Sequence, residues 1–360
     1  MKINALIVNA VILELIENIV LIWHCLTNFN LKDRLLMDNL NMEKLDAEHK
    51  ISIGISSCLL GHKVRFDSGH KQNSYINNTL SEYFDFVPFC PEVDIGMGTP
   101  REAIRLVLID EKVHCVGSKT VDLDVTQQLK ESAKQQNQWL QNLSGYILKK
   151  DSPSCGMERV RLYKGSMPDR IGVGIYAQAL MERFPNLPVE EEGRLGDAVL
   201  RENFIQRVFI YARWQKMLAQ PFSMQALTQF HAQHKYIYMS HNQNLAKDLG
   251  RWLADAHKLE GDEILEYYLS KMMVMLKTRA SRKNHVNTLQ HLQGYLKNFI
   301  SSDDKAELVE IITQYNDGLL PLIVPITLLR HHFRRFPNEY IMDSYYMKPH
   351  PKELMLLNSL

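Results

Sequence analysis

Three segments of this sequence share one design: an apolar stretch typical of a β-strand, then a turn rich in Gly, Pro or Ser that contains a cysteine. The cysteines are Cys58 in ISSCLLG, Cys90 in PFCPEVDIGMG and Cys155 in DSPSCGM. Strand ends meet at one edge of a parallel sheet, where open α/β sheets bind ligands, so we expect the three thiols to converge. Three converging thiolates suit an iron–sulfur cluster with one open iron.

The spacing of these cysteines argues against zinc. They lie 32 and 65 residues apart, whereas zinc sites usually contain a close pair of cysteines. A zinc site with three cysteines and one open position is the remaining metal alternative. A further cysteine, Cys115 in KVHCVG, is expected to be a buried apolar thiol.

Strand-like and helix-like segments alternate in the first part of the chain. The segments ISIGISS, FDFVPFC and GYIL resemble strands, IRLVLID and VHCVG resemble a hairpin, and residues 73–84 and 125–143 resemble helices. We expect a loop at residues 164–170. This alternation predicts a small α/β domain with a mostly parallel sheet over residues 50–195.

Apolar residues recur at helical spacing in nearly every segment after a boundary near residues 185–200. The boundary segment, PNLPVEEEGRLGD, is rich in Pro, Gly and acidic residues. We therefore predict an all-α C-terminal domain over residues 200–352.

Charge is divided unevenly along the chain, although the formal net charge is only +1. Residues 200–360 carry 20 Lys and Arg against 15 Asp and Glu, and residues 1–199 carry 22 against 26. The C-terminal half is thus the part suited to a polyanion. The odd number of cysteines, five, argues against a disulfide scaffold and predicts a reducing, cytoplasmic location.

The N-terminal extension, residues 1–49, has no clear place in this scheme. Residues 3–23 approach the ~20-residue length of a membrane span but contain Glu14 and Glu17. A membrane anchor, an amphipathic helix and a misassigned start upstream of Met37 or Met42 are the alternatives. We expect no stable membrane insertion.

The motifs ISSCLLG, VRFDSG, FCPEVDIGMGTPR and KKDSPSCGM together resemble the thiouracil desulfidase family. The C-terminal motifs KTRASRKNHVNTLQHLQGYL, DGLLPLIVPITLLRHHF and YYMKPHPKEL resemble the helical domain fused to that module in bacterial tRNA 4-thiouridine desulfidases. The resemblance covers roughly residues 50–352. It implies a 4Fe–4S cluster held by Cys58, Cys90 and Cys155, with a fourth iron free to bind the sulfur of a thiocarbonyl.

The resemblance also directs attention to proton-handling residues beside these cysteines. Glu92, two residues after Cys90, is the candidate general base or proton shuttle. The alternative is that it caps a turn or pairs with Arg101. One of Ser152 and Ser154 resembles the catalytic serine of the family, and the sequence leaves open which one.

Two polar loops and one basic run are candidates for substrate binding. Four loop residues are candidates to hold a base or a phosphate: Arg65, Gly96, Gly98 and Arg101. The alternative is that these loops are ordinary turns without a binding role. Asp67 belongs to the same set of loop residues. In the C-terminal half, the predicted phosphate contacts are Lys277, Arg279, Arg282 and Lys283, for which a solvated helix face is the alternative.

The predicted function is iron–sulfur-dependent, hydrolytic conversion of 4-thiouridine in tRNA to uridine, with release of sulfide. The nearest alternative is the same reaction on a free thiopyrimidine base or nucleoside. An alternative of another class is a non-catalytic iron–sulfur protein that senses redox state or accompanies DNA repair. A zinc hydrolase is the third.

Overall fold

The computed structural model describes residues 50–120 and 122–351, together with Leu354, Leu356 and Leu357. The extension predicted for residues 1–49 lies outside this described part. The chain from Ile51 to Leu360 forms one compact unit.

Strands occupy the first half of the described chain and helices the second. The strands are β1 (Ile51–Ser56), β2 (Phe84–Phe89), β3 (Ile104–Ile109), β4 (Lys112–Gly117), β5 (Gly145–Leu148), β6 (Val160–Lys164), β7 (Met167–Gly172) and β8 (Val189–Glu191). The helices are α1 (Ser74–Asn78), α2 (Pro91–Asp94), α3 (Thr126–Gln135), α4 (Asn137–Leu140), α5 (Ile175–Arg183), α6 (Ala198–Leu218), α7 (Met224–His241), α8 (Gln243–Asp255), α9 (Gly261–Lys277), α10 (Arg282–Gly294), α11 (Ser302–Asn316), α12 (Ile323–Arg335) and α13 (Glu339–Met342).

The central sheet has the strand order β2-β1-β5-β8, and all of its pairs are parallel. The chain leaves β1 to one side to form β2 and returns on the other side to form β5. Such a change of direction opens a crevice at the carboxyl ends of the strands. The cysteine-bearing turns follow three of these four strands, so strand order alone brings them to one edge.

Helix α6 packs against the central sheet and begins the helical half. Its buried Phe204 and Val208 share a hydrophobic core with Ile53 and Ile147 of the sheet. The approach is tight at Gly145, where a Cβ would lie 2.8 Å from Val208 Cγ2. The predicted fold class, an α/β part followed by an all-helical part, is confirmed; the division into separate domains at residues 195–200 stays a prediction.

A second sheet, with the order β4-β3-β6-β7, was not predicted as a separate layer. The β3–β4 hairpin is confirmed, with Asp110 and Glu111 at positive φ in its turn. The loop predicted at 164–170 is wrong, because β6 and β7 form an antiparallel hairpin there. Strand β7 lies at an edge and is exposed along most of its length, so its sequence carries no hydrophobic alternation to detect.

Polar residues fix where the helices begin. Among the described helices of the helical half, six Ncap side chains accept a hydrogen bond from a backbone N–H of the first turn: Asp197, Ser223, Asn242, Ser281, Ser301 and Asn338. Each such cap stabilises its helix by about 1 kcal/mol. In the α/β part, Asn73 caps α1, but that helix ends at Asn78, and the helix predicted over 125–143 breaks at Gln136.

The helical half has its own apolar core, to which α6, α7, α9, α10 and α12 contribute. Met272, Met273 and Met275 are fully buried there. Among the described residues, no helix is both long enough and apolar enough to cross a membrane.

Candidate metal centre and active site

The three predicted cysteine ligands line one cavity of about 330 Å³ at the carboxyl edge of the central sheet. Cys58 lies in the short 3₁₀ turn after β1, Cys90 directly follows β2, and Cys155 lies in the turn after β5. These strands are neighbours in the sheet, which explains how residues so distant in sequence share a cavity. The predicted convergence of the three segments is therefore observed, whereas metal ligation by them stays a prediction.

All three cysteines are free thiols. Burial raises the pKa of Cys58 to about 11, although the positive charge of Lys149 opposes the shift. Burial likewise raises the pKa of Cys90 and of Cys155. Without a metal these thiols therefore stay protonated at neutral pH, and a metal that binds them must displace their protons.

The donor set fits an iron–sulfur cluster better than a single zinc ion. Within the described ranges, no three His, Cys, Asp or Glu side chains are arranged to hold one metal ion. A cluster presents separate iron atoms to separate thiolates, so its ligands need not converge on one point. Ser154 Oγ also lies 3.5 Å from Cys155 Sγ, and hydrogen bonds to sulfur tune such clusters.

Glu92 lines the same cavity and is held by two neighbours. Its Oε2 accepts hydrogen bonds from Arg101 Nε and Nη2, at 3.0 and 2.6 Å, and its Oε1 accepts one from Ser154 Oγ at 2.6 Å. The ion pair is largely buried, because only 4% of the Arg101 side chain and 13% of the Glu92 side chain are exposed. The pairing expected as the alternative role of Glu92 is thus present, and it leaves the carboxylate at the cavity wall.

Arg101 also lines the cavity, but its donors are occupied by the protein itself. Besides Glu92, it donates to the carbonyl oxygens of Gly98, at 2.7 Å, and Val64, at 2.9 Å. Arg101 therefore holds Glu92 and the two loops in place, rather than offering a free fork to a substrate.

The two serines before Cys155 have different surroundings. Ser152 lines the cavity, and its Oγ accepts the backbone N–H of Cys155 at 3.2 Å. Ser154 is fully buried and bonds to Glu92. The two hydroxyl oxygens are 3.0 Å apart, so Ser152, Ser154 and Glu92 form a continuous hydrogen-bonded chain from the cavity.

The remaining predicted loop residues are placed unevenly. Arg65 lines the cavity, and its Nε is buried without a hydrogen-bond partner among the described residues. Asp67 is half exposed, 3.6 Å from Arg65 Nε, and caps the N–H of Gly69. Gly96 and Gly98 adopt positive φ and have open space around their Cα atoms, but neither is among the described lining residues.

Sequence reasoning missed two lysines and three glutamates at this edge. Lys149 and Lys150 line the cavity, and Glu192, just after β8, accepts hydrogen bonds from Lys149 Nζ at 2.5 Å and from the Lys150 N–H at 2.7 Å. The only signals were the pair KK before DSPSC and the run EEE within the boundary segment. Both signals resemble ordinary surface charge.

Buried Glu191 supports the turn that carries Cys155. Its Oε1 accepts the backbone N–H of Met157 at 2.7 Å and that of Glu158 at 3.4 Å. Burial raises the pKa of this carboxyl. The neighbouring Glu190 pairs with Arg194 at 2.6 Å. Strand β8 therefore ties the cysteine turn to the sheet.

The four basic residues predicted to contact phosphate lie in the helical half and do not line the cavity. Lys277 donates to the carbonyl of Pro185 at 3.1 Å, and burial lowers its pKa. Arg282 lies over the ring of Tyr315, 5.6 Å from its centroid, and fills the space beside Gly318. Arg279 and Lys283 are exposed. Two of the four are thus engaged by the protein, and the role of all four stays a prediction.

Comparison with known proteins finds matches to two separate parts of the chain. Residues 53–192 match the family described as 2-thiouracil desulfurase, and residues 235–351 match a family described as a protein of unknown function, DUF1722. The chain is 30% identical over 149 residues to the uncharacterized protein YbbK of Bacillus subtilis (strain 168), a match that covers 40% of this chain and 97% of YbbK. It is 26% identical over 154 residues to the uncharacterized protein YbgA of Escherichia coli (strain K12), covering 42% of this chain and 91% of YbgA.

A solved structure of a 4Fe–4S-dependent thiouracil desulfidase, TudS, is 31% identical to this chain. The match covers 42% of this chain and 97% of that one. The TM-score is 0.34, so the superposition itself carries no argument. The sequence matches suffice: the chain belongs to the 2-thiouracil desulfurase family, with the desulfurase region at residues 53–192 followed by a DUF1722 region at residues 235–351.

Proposed function

We propose that this protein is a desulfidase that converts 4-thiouridine in tRNA to uridine and releases sulfide. The observation that carries the proposal is the meeting of three free thiols and the Glu92 carboxylate in one cavity. The reaction replaces C=S by C=O with one water and releases hydrogen sulfide, so it needs no net electron transfer. Free cysteines also suit a reducing compartment such as the cytoplasm.

We propose that Cys58, Cys90 and Cys155 hold a 4Fe–4S cluster that has one iron without a protein ligand. Such a group, when bound, supplies a soft Lewis acid that prefers a thiocarbonyl sulfur to a carbonyl oxygen and draws electrons from the attached carbon. The chain supplies the rest: a cavity edge built from three strand ends, and fixed groups that handle protons.

In this proposal Glu92 is the general base for the attacking water. Arg101 fixes one oxygen of the carboxylate by two hydrogen bonds, which leaves the group oriented at the cavity wall. General-base catalysis by a positioned carboxylate contributes about 10² to 10⁴ in rate. Because Arg101 is itself held by Gly98 and Val64, the base cannot swing away from the cavity without breaking several contacts.

The two serines extend the proton path. Ser152 Oγ faces the cavity, Ser154 Oγ is 3.0 Å away, and Glu92 Oε1 lies 2.6 Å beyond that. A proton taken from water at the cavity passes along these hydroxyls to Glu92 and returns by the same route to the leaving sulfur or the ring. In this assignment both serines act, Ser152 next to the substrate and Ser154 as the link.

The size of the cavity favours a single base as the group that enters it. About 330 Å³ is near the lower end of small-ligand sites, too small for folded RNA but adequate for a pyrimidine. A tRNA substrate must therefore present its thiolated base unstacked, while the rest of the molecule rests on the surface. The surplus of basic residues after residue 200 supports that role for the helical half. A free thiopyrimidine is the second candidate, favoured by the same cavity volume.

An anaerobic sulfide assay tests the proposal. The full chain, reconstituted with iron and sulfide, is incubated with thiolated tRNA and, separately, with 2-thiouracil. We expect sulfide from both and a higher kcat/KM on tRNA. Sulfide from 2-thiouracil alone would assign the free base as substrate. A chain that binds iron but releases no sulfide from either would leave the redox-sensing alternative standing and remove the enzymatic one.

A further inference from the structure

Four aromatic side chains form a strip on the surface of the helical half: Tyr295, Phe299, Phe336 and Tyr340. The ring centroids of Tyr295 and Tyr340 are 6.3 Å apart, and those of Phe299 and Phe336 are 6.1 Å apart. Both pairs join the turn after α10 to the stretch from the end of α12 through α13, because Phe336 directly follows α12 and Tyr340 lies in α13. Phe299 is 60% exposed, and Tyr295 and Tyr340 are 38% and 37% exposed.

The aromatic strip is anchored from beneath. Buried Tyr236 on α7 donates a hydrogen bond from its hydroxyl to that of Tyr295, at 3.1 Å, and meets Tyr340 edge to face with centroids 6.2 Å apart. These contacts fix the orientation of the Tyr295 and Tyr340 rings. A ligand that stacks on these rings therefore loses little free energy to the ordering of their side chains.

Cations flank the aromatic strip. Lys235 Nζ lies 6.0 Å from the Tyr340 centroid, and the Arg335 guanidinium carbon lies 5.6 Å from the Phe336 centroid. Lys297 and Arg334 are exposed on the same two segments. Glu339 precedes Tyr340 in the sequence, and Arg335 is close enough to Asp304 to lower its pKa, as a minor cause after the Ser301 hydrogen bonds.

Fixed, exposed rings flanked by cations are the chemistry that recognises unpaired nucleotides. Bases stack on the ring faces while Lys and Arg reach the phosphates, as in single-stranded nucleic-acid sites. A base-paired stem offers no free base faces to such a strip. An apolar protein partner would bury the cations without countercharge, which is costly.

We propose that the aromatic strip binds unpaired nucleotides of the RNA substrate, in a loop or at an end, and that Lys235, Lys297 and Arg335 contact the flanking phosphates. This inference rests on the proposed tRNA substrate and specifies which part of it the helical half holds. It also moves the expected contact surface away from Lys277 and Arg282, which the protein itself engages.

Fluorescence anisotropy with a labelled, unmodified tRNA transcript tests the proposal on the full, cluster-loaded chain. The transcript carries no sulfur, so capture in the active site contributes little. Phe299→Ala removes the most exposed ring and is expected to weaken binding about tenfold, since one base stack contributes roughly 1–3 kcal/mol. Phe222→Ala is the matched control: this phenylalanine is also exposed, at 41%, but lies before α7, outside the strip.

A fully paired RNA duplex of equal length is the second probe. Phe299→Ala should bind it as the wild-type chain does, and Lys297→Gln should weaken both probes and reduce their salt dependence. Equal weakening of duplex and transcript by Phe299→Ala would overturn the stacking role. Wild-type affinity for the transcript in Phe299→Ala would overturn the proposal altogether. Binding of another protein by the strip in place of RNA would also overturn it.

Sulfide release from 2-thiouracil separates this inference from the proposed function. Phe299→Ala should keep the wild-type rate on that small substrate, because the strip does not belong to the cavity. A wild-type chain that binds the transcript but releases no sulfide from thiolated tRNA refutes the function, while the variants still decide the strip. A wild-type chain with no affinity for the transcript refutes the strip, and sulfide release from thiolated tRNA then decides the function by itself.

Discussion

Polar side chains are buried in two regions of this protein, and the two regions treat them differently. At the edge of the central sheet the buried groups are charged and paired, as in Glu92 with Arg101 and Glu192 with Lys149. Inside the helical half several of the buried polar groups are histidines, such as His241 and His285. Burial lowers the pKa of His241 to about 4 and that of His285 to about 3.

The surroundings explain the contrast. The charged pairs lie outside the strands, and Glu92, Arg101 and Lys149 line the cavity. The histidines lie between packed helices, and their ring nitrogens form hydrogen bonds with neighbouring residues. His241 bonds to Thr278 and Gln206, and His285 bonds to Tyr346 at 2.8 Å. The sheet edge thus holds its charges as pairs beside a cavity, whereas these two histidines are held uncharged between packed helices.

Replacing the cavity cysteines should have the largest effect. Cys58→Ala, Cys90→Ala and Cys155→Ala are each expected to abolish iron binding and sulfide release, because each removes one of three ligands. Iron content, acid-labile sulfide and visible absorbance of anaerobically purified protein measure the loss. Cys115→Ala is the matched control, since Cys115 is fully buried in the second sheet and does not line the cavity, and it should leave iron unchanged. Full iron content in any of the three variants would exclude that ligand.

Glu92→Gln should have the second largest effect, a loss of turnover. The variant keeps the shape of the side chain but cannot accept a proton, so turnover should fall by about 10² to 10⁴ while iron content stays at the wild-type level. Single-turnover sulfide release measures it. Asp85→Asn, an exposed carboxylate on β2, is the control and should have no effect. Undiminished turnover in Glu92→Gln would remove this residue from the mechanism.

Variants of Glu191 test its support of the cysteine turn separately from the proposed chemistry. Glu191→Leu leaves the buried N–H of Met157 and that of Glu158 without their acceptor, at about 1–3 kcal/mol for each group. We expect a lower melting temperature and weaker iron retention. Glu191→Gln keeps an acceptor oxygen and should recover most of both. If Leu and Gln behave alike, the hydrogen bonds to this turn do not matter.

The buried histidines make stability depend on pH. Their folded pKa values, about 4 and about 3, lie below the unfolded value near 6.5, so the unfolded chain binds more protons in between. Their contribution to the free energy of unfolding is complete above pH 6.5. It is lost as the pH falls toward 4, by up to about 1.4 kcal/mol per pH unit for each histidine. Urea unfolding at pH 7.5, 6.0 and 5.0 measures the decline. His285→Phe should flatten it, and a flat wild-type profile would contradict the assignment.

The exposed basic residues should give the smallest change. Arg279→Gln and Lys283→Gln are each expected to weaken tRNA binding a few-fold and to lower its salt dependence by about one phosphate contact, with no change in melting temperature. Anisotropy across a salt series measures both. Affinity and salt slope equal to the wild type would make this run a solvated surface.

The sequence determined the parts whose signals are local. Strand followed by turn and cysteine is a pattern of a few residues, and the pairing of parallel strand ends then brings Cys58, Cys90 and Cys155 to one edge. The helices of the second half were likewise predicted from the helical spacing of their apolar residues. Glu92 was predicted to lie near the cysteines from its position two residues after Cys90, and its proton-handling role followed from the needs of the proposed reaction.

Tertiary structure alone decided which groups face these residues. The order β2-β1-β5-β8 puts the glutamates of β8 beside the cysteine turn and Lys149, and no local pattern predicts that neighbour. The edge strand β7 escaped detection because exposed strands need no apolar alternation. Whether a basic residue is free also depends on distant partners: Arg101 is held by Glu92, and Lys277 by Pro185. Short-range physics sets the elements, whereas long-range pairing sets the site.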